Sequence, residues 1–321
     1  MTKLEEFLEN VHTVAIAGHV NPDGDCIGSC MGMYLYLRDN YPDIRATVYL
    51  EPYREVFSFI EDLDLAKDTC DPEPVDLLIL LDISSRSRIG VAAPLTETAA
   101  KTVCLDHHVT NRDSYTWLHN EPETSSACEV LYGFLDPAKI SPACAAALYT
   151  GMVTDSGVFQ YSSTTPKTMR VAANLMEYGI PFSQIIDKTF FQKTLGQNRI
   201  MGKVLMESRT LYGGRVIIGS AAYADMQTFG VEKKDMDGIV SELRNTIGVE
   251  VAVFLYEQEA GDVKVSLRSR EHVDVSLIAK ALGGGGHMRA AGCNVEGTLE
   301  EAAGIITEAL KPFFETGAAA R

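Results

Sequence analysis

The sequence predicts an α/β protein: a parallel-sheet domain, then a smaller mixed α/β domain, with a cleft between them. Three observations predict it. Strand-like and helix-like stretches alternate through the first 160 residues, and that alternation implies a parallel sheet covered on both faces. The run VDLLILLDI (75–83) is apolar almost throughout, as a strand buried on both faces is. From about residue 208 the pattern changes to hairpins joined by helices, and 321 residues suffice for two domains.

In order, VHTVAIAG (11–18) reads as the first strand, ending at Gly18. A helix packing small and apolar residues follows in CIGSCMGMYLYLRDNYP and stops before Pro42. ATVYLE (46–51), 75–83 and TVCLDHH (102–108) are the next strands. After residue 124 the chain reads as helical, including TPKTMRVAANLMEYG, with Thr165 as N-cap, Pro166 in the first turn and Gly179 as stop. The first domain is placed at 1–185, an amphipathic helical connector at 186–207, and the second domain at 208–321. In the latter, TLYGGRVIIGSAAY reads as a hairpin around Gly213-Gly214. A second hairpin turns at Ala260-Gly261, VSLIAKALGGGG is a helix running into glycines, and the tail ETGAAAR is expected to fray.

Net charge is −16, from 28 basic and 44 acidic residues. That argues against wrapping long nucleic acid or lying on an anionic membrane. A short phosphorylated substrate remains compatible, because a metal site creates a local positive field. MTKLEEFLEN has no apolar signal core, and no run reaches the ~18 apolar residues a membrane-spanning helix needs. The seven cysteines include no CxxC pair. They read as buried free thiols in a reduced cytoplasm, and the lack of a CxxC pair argues against a structural zinc ribbon.

Chemistry concentrates at the carboxyl ends of the expected strands, where ligands bind in such sheets. His19, Asp23 and Asp25 follow the first strand, Asp82 ends the 75–83 run, and Asp106, His107 and His108 end the next; Asp155 lies in GMVTDSGVF. Any one of these is ordinary: NPDG is usually a turn, and a strand-end Asp is often a helix cap. Jointly they form a mixed His/Asp set without cysteine, which suits Mn²⁺ and less well Mg²⁺ or Co²⁺. Five carboxylates repel unless cations lie between them. Two metals ~3.5–4 Å apart would neutralise them, hold a bridging water and hydrolyse phosphate esters by in-line attack. Asn111 and Arg112 follow closely enough to touch the site. Phe159, near Asp155, reads as an apolar anchor rather than a base-stacking platform, and the single Trp117 as structural.

In the second domain, Gly283–Gly286 would let the backbone approach an anion closely and aim N–H groups at it. His287 follows directly. Strand alternation would put Ser266, Arg268 and Arg270 of SLRSR on one face. The alternative reading is a helix terminus beside two solvated arginines.

HVNPDGD, LLDIS, DHH and GMVTDSG resemble the four successive motifs of the DHH phosphoesterase family, and SLRSR with GGGGHMRAAG resembles its DHHA1 domain. The resemblance covers nearly the whole chain. It implies that His19 and Asp23 bind one metal, that Asp25, His107 and Asp155 bind the other, and that Asp82 bridges both. Asp106 would orient a ligand or the nucleophilic water. His108 would face the phosphate, to stabilise charge or protonate a leaving group. Arg268, Ser266, Arg270, Gly284, Gly285, Gly286 and His287 would hold a terminal phosphate or base. Ser156 stands where family members often carry Thr; both have a hydroxyl.

The compact layout resembles the family's nano-RNases, which also dephosphorylate 3′-phosphoadenosine 5′-phosphate. The expected activity is therefore Mn²⁺-dependent hydrolysis of short oligoribonucleotides and that nucleotide. A soluble cyclic- or linear-dinucleotide phosphodiesterase is the alternative. A RecJ-like single-strand exonuclease fits less well, since a long strand wants a basic track. GGGGH points away from an inorganic pyrophosphatase, and the filled ligand positions point away from an inactive binding protein. Short RNA or nucleotides are the expected partners, with a homodimer possible.

Overall fold

The computed structural model describes residues 3–70, 73–259 and 261–315. It divides into two compact units, Met1–Gln192 and Lys193–Arg321. Of the tail ETGAAAR expected to fray, all but Glu315 lies outside the described residues, as does Ala260 at the expected hairpin turn.

The first unit is built on five strands: β1 (Thr13–Ala17), β2 (Arg45–Tyr49), β3 (Leu77–Leu81), β4 (Lys101–Asp106) and β5 (Trp117–Asn120). All pair in parallel, in the order β2-β1-β3-β4-β5. The chain steps from β1 out to β2 and then back across β1 to β3. The carboxyl ends of β1 and β3 therefore border a topological switch point, where doubly wound sheets open a crevice. Every residue of β3 is buried, as its continuous apolar run predicts. β5 is absent from the sequence reading; its four residues are all half-buried, with neither alternation nor an apolar run to mark them.

The helices of this unit are α1 (Lys3–Phe7), α2 (Gly24–Asn40), α3 (Leu95–Thr98), α4 (Ala127–Tyr132), α5 (Pro142–Asp155), α6 (Pro166–Glu177) and α7 (Phe182–Ile186). α6 begins and ends as its sequence predicts: Thr165 accepts from the amides of Lys167 and Thr168, and Gly179 adopts φ +72°. α2 and α5 pack so closely that glycine is required between them. A Cβ on Gly28 would lie 2.5 Å from the Ala147 carbonyl oxygen, and one on Gly24 would overlap the Thr154 side chain. This contact draws the start of α2, with Asp23 and Asp25, towards the end of α5, with Asp155.

The expected connector divides. Asp187–Phe191 forms a π-turn in the first unit, whereas α8 (Leu195–Glu207) buries Ile200 and Val204 in a core of the second. The second unit continues with β6 (Arg209–Leu211), β7 (Val216–Ala221), α9 (Tyr223–Phe229), α10 (Ile239–Arg244), β8 (Val251–Glu259) and β9 (Asp262–Ser269). It ends with α11 (Val275–Ala281), β10 (Gly285–His287), β11 (Ala290–Glu296) and α12 (Leu299–Phe314). Its mixed sheet runs β10-β11-β9-β8-β7-β6, with β7 and β8 parallel and the other pairs antiparallel. Alternation along β9 sends Val263, Val265 and Leu267 into a core with α11 and α12.

Candidate metal centre

Three strand ends and two helix ends deliver the polar residues to one place. His19 follows β1, Asp82 follows β3, and His107 and His108 follow β4. Asp23 is the N-cap of α2, with its side chain accepting from the Asp25 and Cys26 amides. Asp155 is the last residue of α5. Asp23 and Asp25 thus sit at a helix start. Gly24 between them serves the close helix contact, and its φ is not left-handed.

These residues form three overlapping groups: His19, Asp23 and Asp82; Asp82, His107 and His108; and Asp25, His107 and Asp155. His19 Nε2 is 3.3 Å from Asp82 Oδ2 and 3.6 Å from Asp23 Oδ1. His107 Nε2 is 3.4 Å from Asp82 Oδ1, 3.5 Å from Asp155 Oδ2 and 3.8 Å from Asp25 Oδ2. These spacings are longer than the ~2.7–3.2 Å of a good hydrogen bond. The shorter three, 3.3, 3.4 and 3.5 Å, fit ligand atoms that share an ion, because bonds of ~2.0–2.2 Å set neighbouring ligands about 3–3.5 Å apart. Asp82 Oδ1 is buried with no hydrogen-bond partner, a costly state unless a cation completes it. Asp82 is also held at φ +58°, a conformation that costs a non-glycine residue of order 1–3 kcal/mol and recurs at functional sites.

The partners of each group fix its aim. His19 Nδ1 donates to the Val20 carbonyl at 2.8 Å, turning Nε2 towards Asp82, as an outer partner does for a metal-binding imidazole. The Arg88 guanidinium lies 3.4 Å from that Nδ1. Asp25 is 1 % exposed, and its carboxylate accepts from the amides of Ala127 (2.6 Å) and Cys128 (3.0 Å) at the start of α4.

The imidazoles and carboxylates shift one another's protonation. Burial opposes charge on His19, but Asp23 and Asp82 outweigh it and hold the imidazole up at about 12. His107 is raised to about 10, with Asp82 and Asp25 overcoming its burial. Asp82 is held well below the usual carboxylate range: burial works against this, and His107 and His19 prevail. Burial, then the Asp82 charge, pushes Asp25 up to about 7; burial, then Asp25, pushes Asp155 up to about 8. Divalent ions bound among these groups would displace these protons.

Asp106 pairs with His108, itself a member of the group with Asp82 and His107. Asp106 is fully buried, and its Oδ1 accepts from His108 Nδ1 at 2.8 Å, which leaves His108 Nε2 on the far side of the ring. Of the two loop residues flagged by sequence, Asn111 does reach the site through Asp106 Oδ2. Phe159 packs edge-on against Tyr149, in a left-handed turn of Gly157, Val158 and Phe159. Two contributors escaped sequence reading, the α4 amides that hold Asp25 and Asn120 of β5, which donates to the His108 carbonyl at 2.7 Å.

In the second unit, β9 ends at Ser269, so Ser266 and Arg268 share a face but Arg270 lies beyond it. The Arg270 guanidinium instead donates to the carbonyls of Arg244 (2.9 Å) and Val249 (3.3 Å). Arg268 and His287 register with the same residue, Ala290 of β11, and so project from one face of the sheet. The glycine run is used differently from the expectation. The amides of Gly283 and Gly284 donate to the carbonyls of Lys280 and Ala279, closing α11 rather than facing an anion. Gly285 and Gly286 join β10, and a Cβ on Gly284 or Gly286 would overlap the backbone of β11.

Comparison with known proteins places the chain in a family. Residues 13–152 match the DHH family, N-terminal domain, and residues 218–316 match the DHHA1 domain. The bifunctional oligoribonuclease and PAP phosphatase NrnA of Thermus thermophilus is 33% identical over 306 residues, 93% of this chain and 89% of that protein. The protein of the same name from Bacillus subtilis is 27% identical over 304 residues, 92% of this chain and 93% of its own. A crystal structure of an exopolyphosphatase-related protein from Bacteroides fragilis superposes with a TM-score of 0.88 at 25% identity, covering 97% of this chain and 96% of that one. The fold, the carboxylate–imidazole centre and these matches define a hydrolase acting on phosphoester bonds. The chain belongs to the DHH family and carries a DHHA1 domain. Among the described residues, no helix is long and apolar enough to cross a membrane.

Proposed function

We propose that this protein is a Mn²⁺-dependent nano-RNase that hydrolyses short oligoribonucleotides and dephosphorylates 3′-phosphoadenosine 5′-phosphate. The observation that carries the reading is the overlap of the three groups: Asp82 belongs to two of them and so does His107. Overlap of this kind suits a pair of ions rather than one. His19 and Asp23 would hold one ion, Asp25, His107 and Asp155 the other, and Asp82 would touch both. When bound, such ions lower the pKa of a water and offset phosphate charge.

The remaining chemistry belongs to the chain. Asp25 is held rigid by two α4 amides, so its oxygens keep their aim. Asp106 holds the His108 Nδ1 proton, which leaves Nε2 to donate to the leaving oxygen. A nucleoside hydroxyl leaves poorly without that proton. In the DHHA1 domain, Arg268, Ser266 and His287 hold a terminal phosphate or base. Arg supplies a planar fork of donors suited to phosphate. The names of the relatives support this substrate class, and the net charge of −16 suits short substrates over long strands.

The test is a substrate panel with Mn²⁺, Mg²⁺ or Co²⁺. It compares end-labelled di- to heptanucleotides, adenosine bisphosphate, linear and cyclic dinucleotides, and pyrophosphate. The reading expects Mn²⁺-stimulated cleavage of the shortest RNAs and release of phosphate from adenosine bisphosphate. Turnover confined to cyclic dinucleotides or pyrophosphate, or full activity after chelation, would refute it.

A further inference from the structure

Asp106 divides its two oxygens between two partners. Oδ1 accepts from His108 Nδ1 at 2.8 Å, and Oδ2 accepts from Asn111 Nδ2 at 2.9 Å. The same Asn111 nitrogen gives its second hydrogen to the Ile83 carbonyl at 2.6 Å. Asp106 is 0 % and Asn111 4 % exposed, so water cannot replace either bond readily. One amide group therefore ties the chain just after β3 to the carboxylate that ends β4. The surrounding turn is closed as well: the Asn111 amide donates to the His108 carbonyl, and Asn120 donates to the carbonyls of both His108 and Asn111.

A buried carboxylate with one unpaired oxygen would carry a large desolvation cost and could turn about its last bond. Asn111 removes both problems. Its amide has two N–H donors, aimed at these two oxygens, with Cys104 Sγ a weaker acceptor at 3.5 Å. The pull of Ile83 fixes the amide, the amide fixes the plane of Asp106, and that plane fixes the His108 ring.

We propose that Asn111 is a positioning residue for leaving-group protonation, acting through Asp106 on His108. The inference rests on the reading of His108 as proton donor, and the experiment separates the two. Turnover is measured with Mn²⁺ on a dinucleotide, whose nucleoside hydroxyl needs a proton to leave. It is measured again on a p-nitrophenyl nucleotide ester, whose phenolate leaves without one. Mn²⁺ stoichiometry is titrated in parallel. His108→Ala should lower dinucleotide turnover by ~10²–10⁴-fold and spare the aryl ester. Asn111→Ala should lower dinucleotide turnover by about 10–100-fold, the range typical of an outer partner. Its aryl-ester turnover and Mn²⁺ binding should stay near wild type, and Asn111→Ser should fall between.

If His108→Ala slows both substrates alike, the proton-donor reading fails and this inference falls with it. If His108→Ala discriminates but a folded, metal-loaded Asn111→Ala does not, the inference about Asn111 alone is overturned. Failure of both Asn111 variants to fold would overturn it too, since the residue would then be purely structural.

Discussion

His107 Nε2 lies 3.4 Å from Asp82 Oδ1, a buried oxygen that accepts no hydrogen bond. Asp82 Oδ2 faces His19 at 3.3 Å. One carboxylate thus joins the end of β1 to the end of β4 across the sheet's switch point. Asp82→Ala should remove a ligand from both ions and lower turnover by more than the ~100-fold typical of an outer partner. Isothermal titration should show loss of at least one Mn²⁺ per chain. Near-wild-type turnover would break the two-ion assignment.

Metal binding must displace protons. His19 and His107 are held up at about 12 and about 10, and Asp25 and Asp155 at about 7 and about 8. Apparent Mn²⁺ affinity should therefore rise between pH 6 and 9 by ~10-fold or more, with proton release. Calorimetry in buffers of different ionisation enthalpy measures that release; a pH-independent affinity would contradict it.

The same groups make a sign prediction for stability. All four have folded pKa values above their ordinary values, so at neutral pH the folded, metal-free chain binds more protons than the unfolded one. Their contribution is complete below the unfolded values. It fades for Asp25 and Asp155 from about pH 4 to 8, and for the histidines from about pH 6.5 upwards. The Tm of the metal-free protein should fall from pH 6 to 9, and Mn²⁺ should flatten the slope. Differential scanning calorimetry checks both. Asp82 has the opposite sign: its contribution is present above the ordinary carboxylate range and is lost in strong acid.

Close helix packing positions the candidate ligands. Gly28→Ala would press a methyl group against the Ala147 carbonyl and part α2 from α5. Overpacking of this kind costs about 1–3 kcal/mol, readable as a shift in the urea midpoint. Mn²⁺ affinity should fall with it, because Asp25 rides on α2 and Asp155 on α5. An unchanged midpoint would mean that the helices relax without cost.

Two arginines two residues apart should behave differently. Arg268→Ala should raise KM for short RNA by ~10-fold with little change in kcat, as loss of uniform binding does. Arg270→Ala should leave KM alone and lower stability by about 1 kcal/mol, because its guanidinium caps the carbonyls of Arg244 and Val249. Steady-state kinetics and urea unfolding of the two variants separate these roles.

Much of the fold was legible because burial imposes period and composition locally. The uniformly buried β3 and the capped ends of α6 are written in consecutive residues. β5 was not, since a short edge strand of half-buried residues has neither signal. The clustered residues were legible as well: His19, Asp82 and His107 each stand just beyond a readable strand, and polar residues at such ends can converge.

By itself, the sequence determined which residue types stand at each strand end, and therefore that a carboxylate–imidazole centre was possible. Only the tertiary structure decided how those side chains are held. Asp25 meets the Ala127 and Cys128 amides about a hundred residues away. Asn111 reaches back to Ile83, and Arg270 turns to Arg244 instead of joining Arg268. The physical reason is the range of the forces. Periodicity records which way a side chain faces its own element, whereas a hydrogen bond forms only with whatever distant backbone packing brings within about 3 Å.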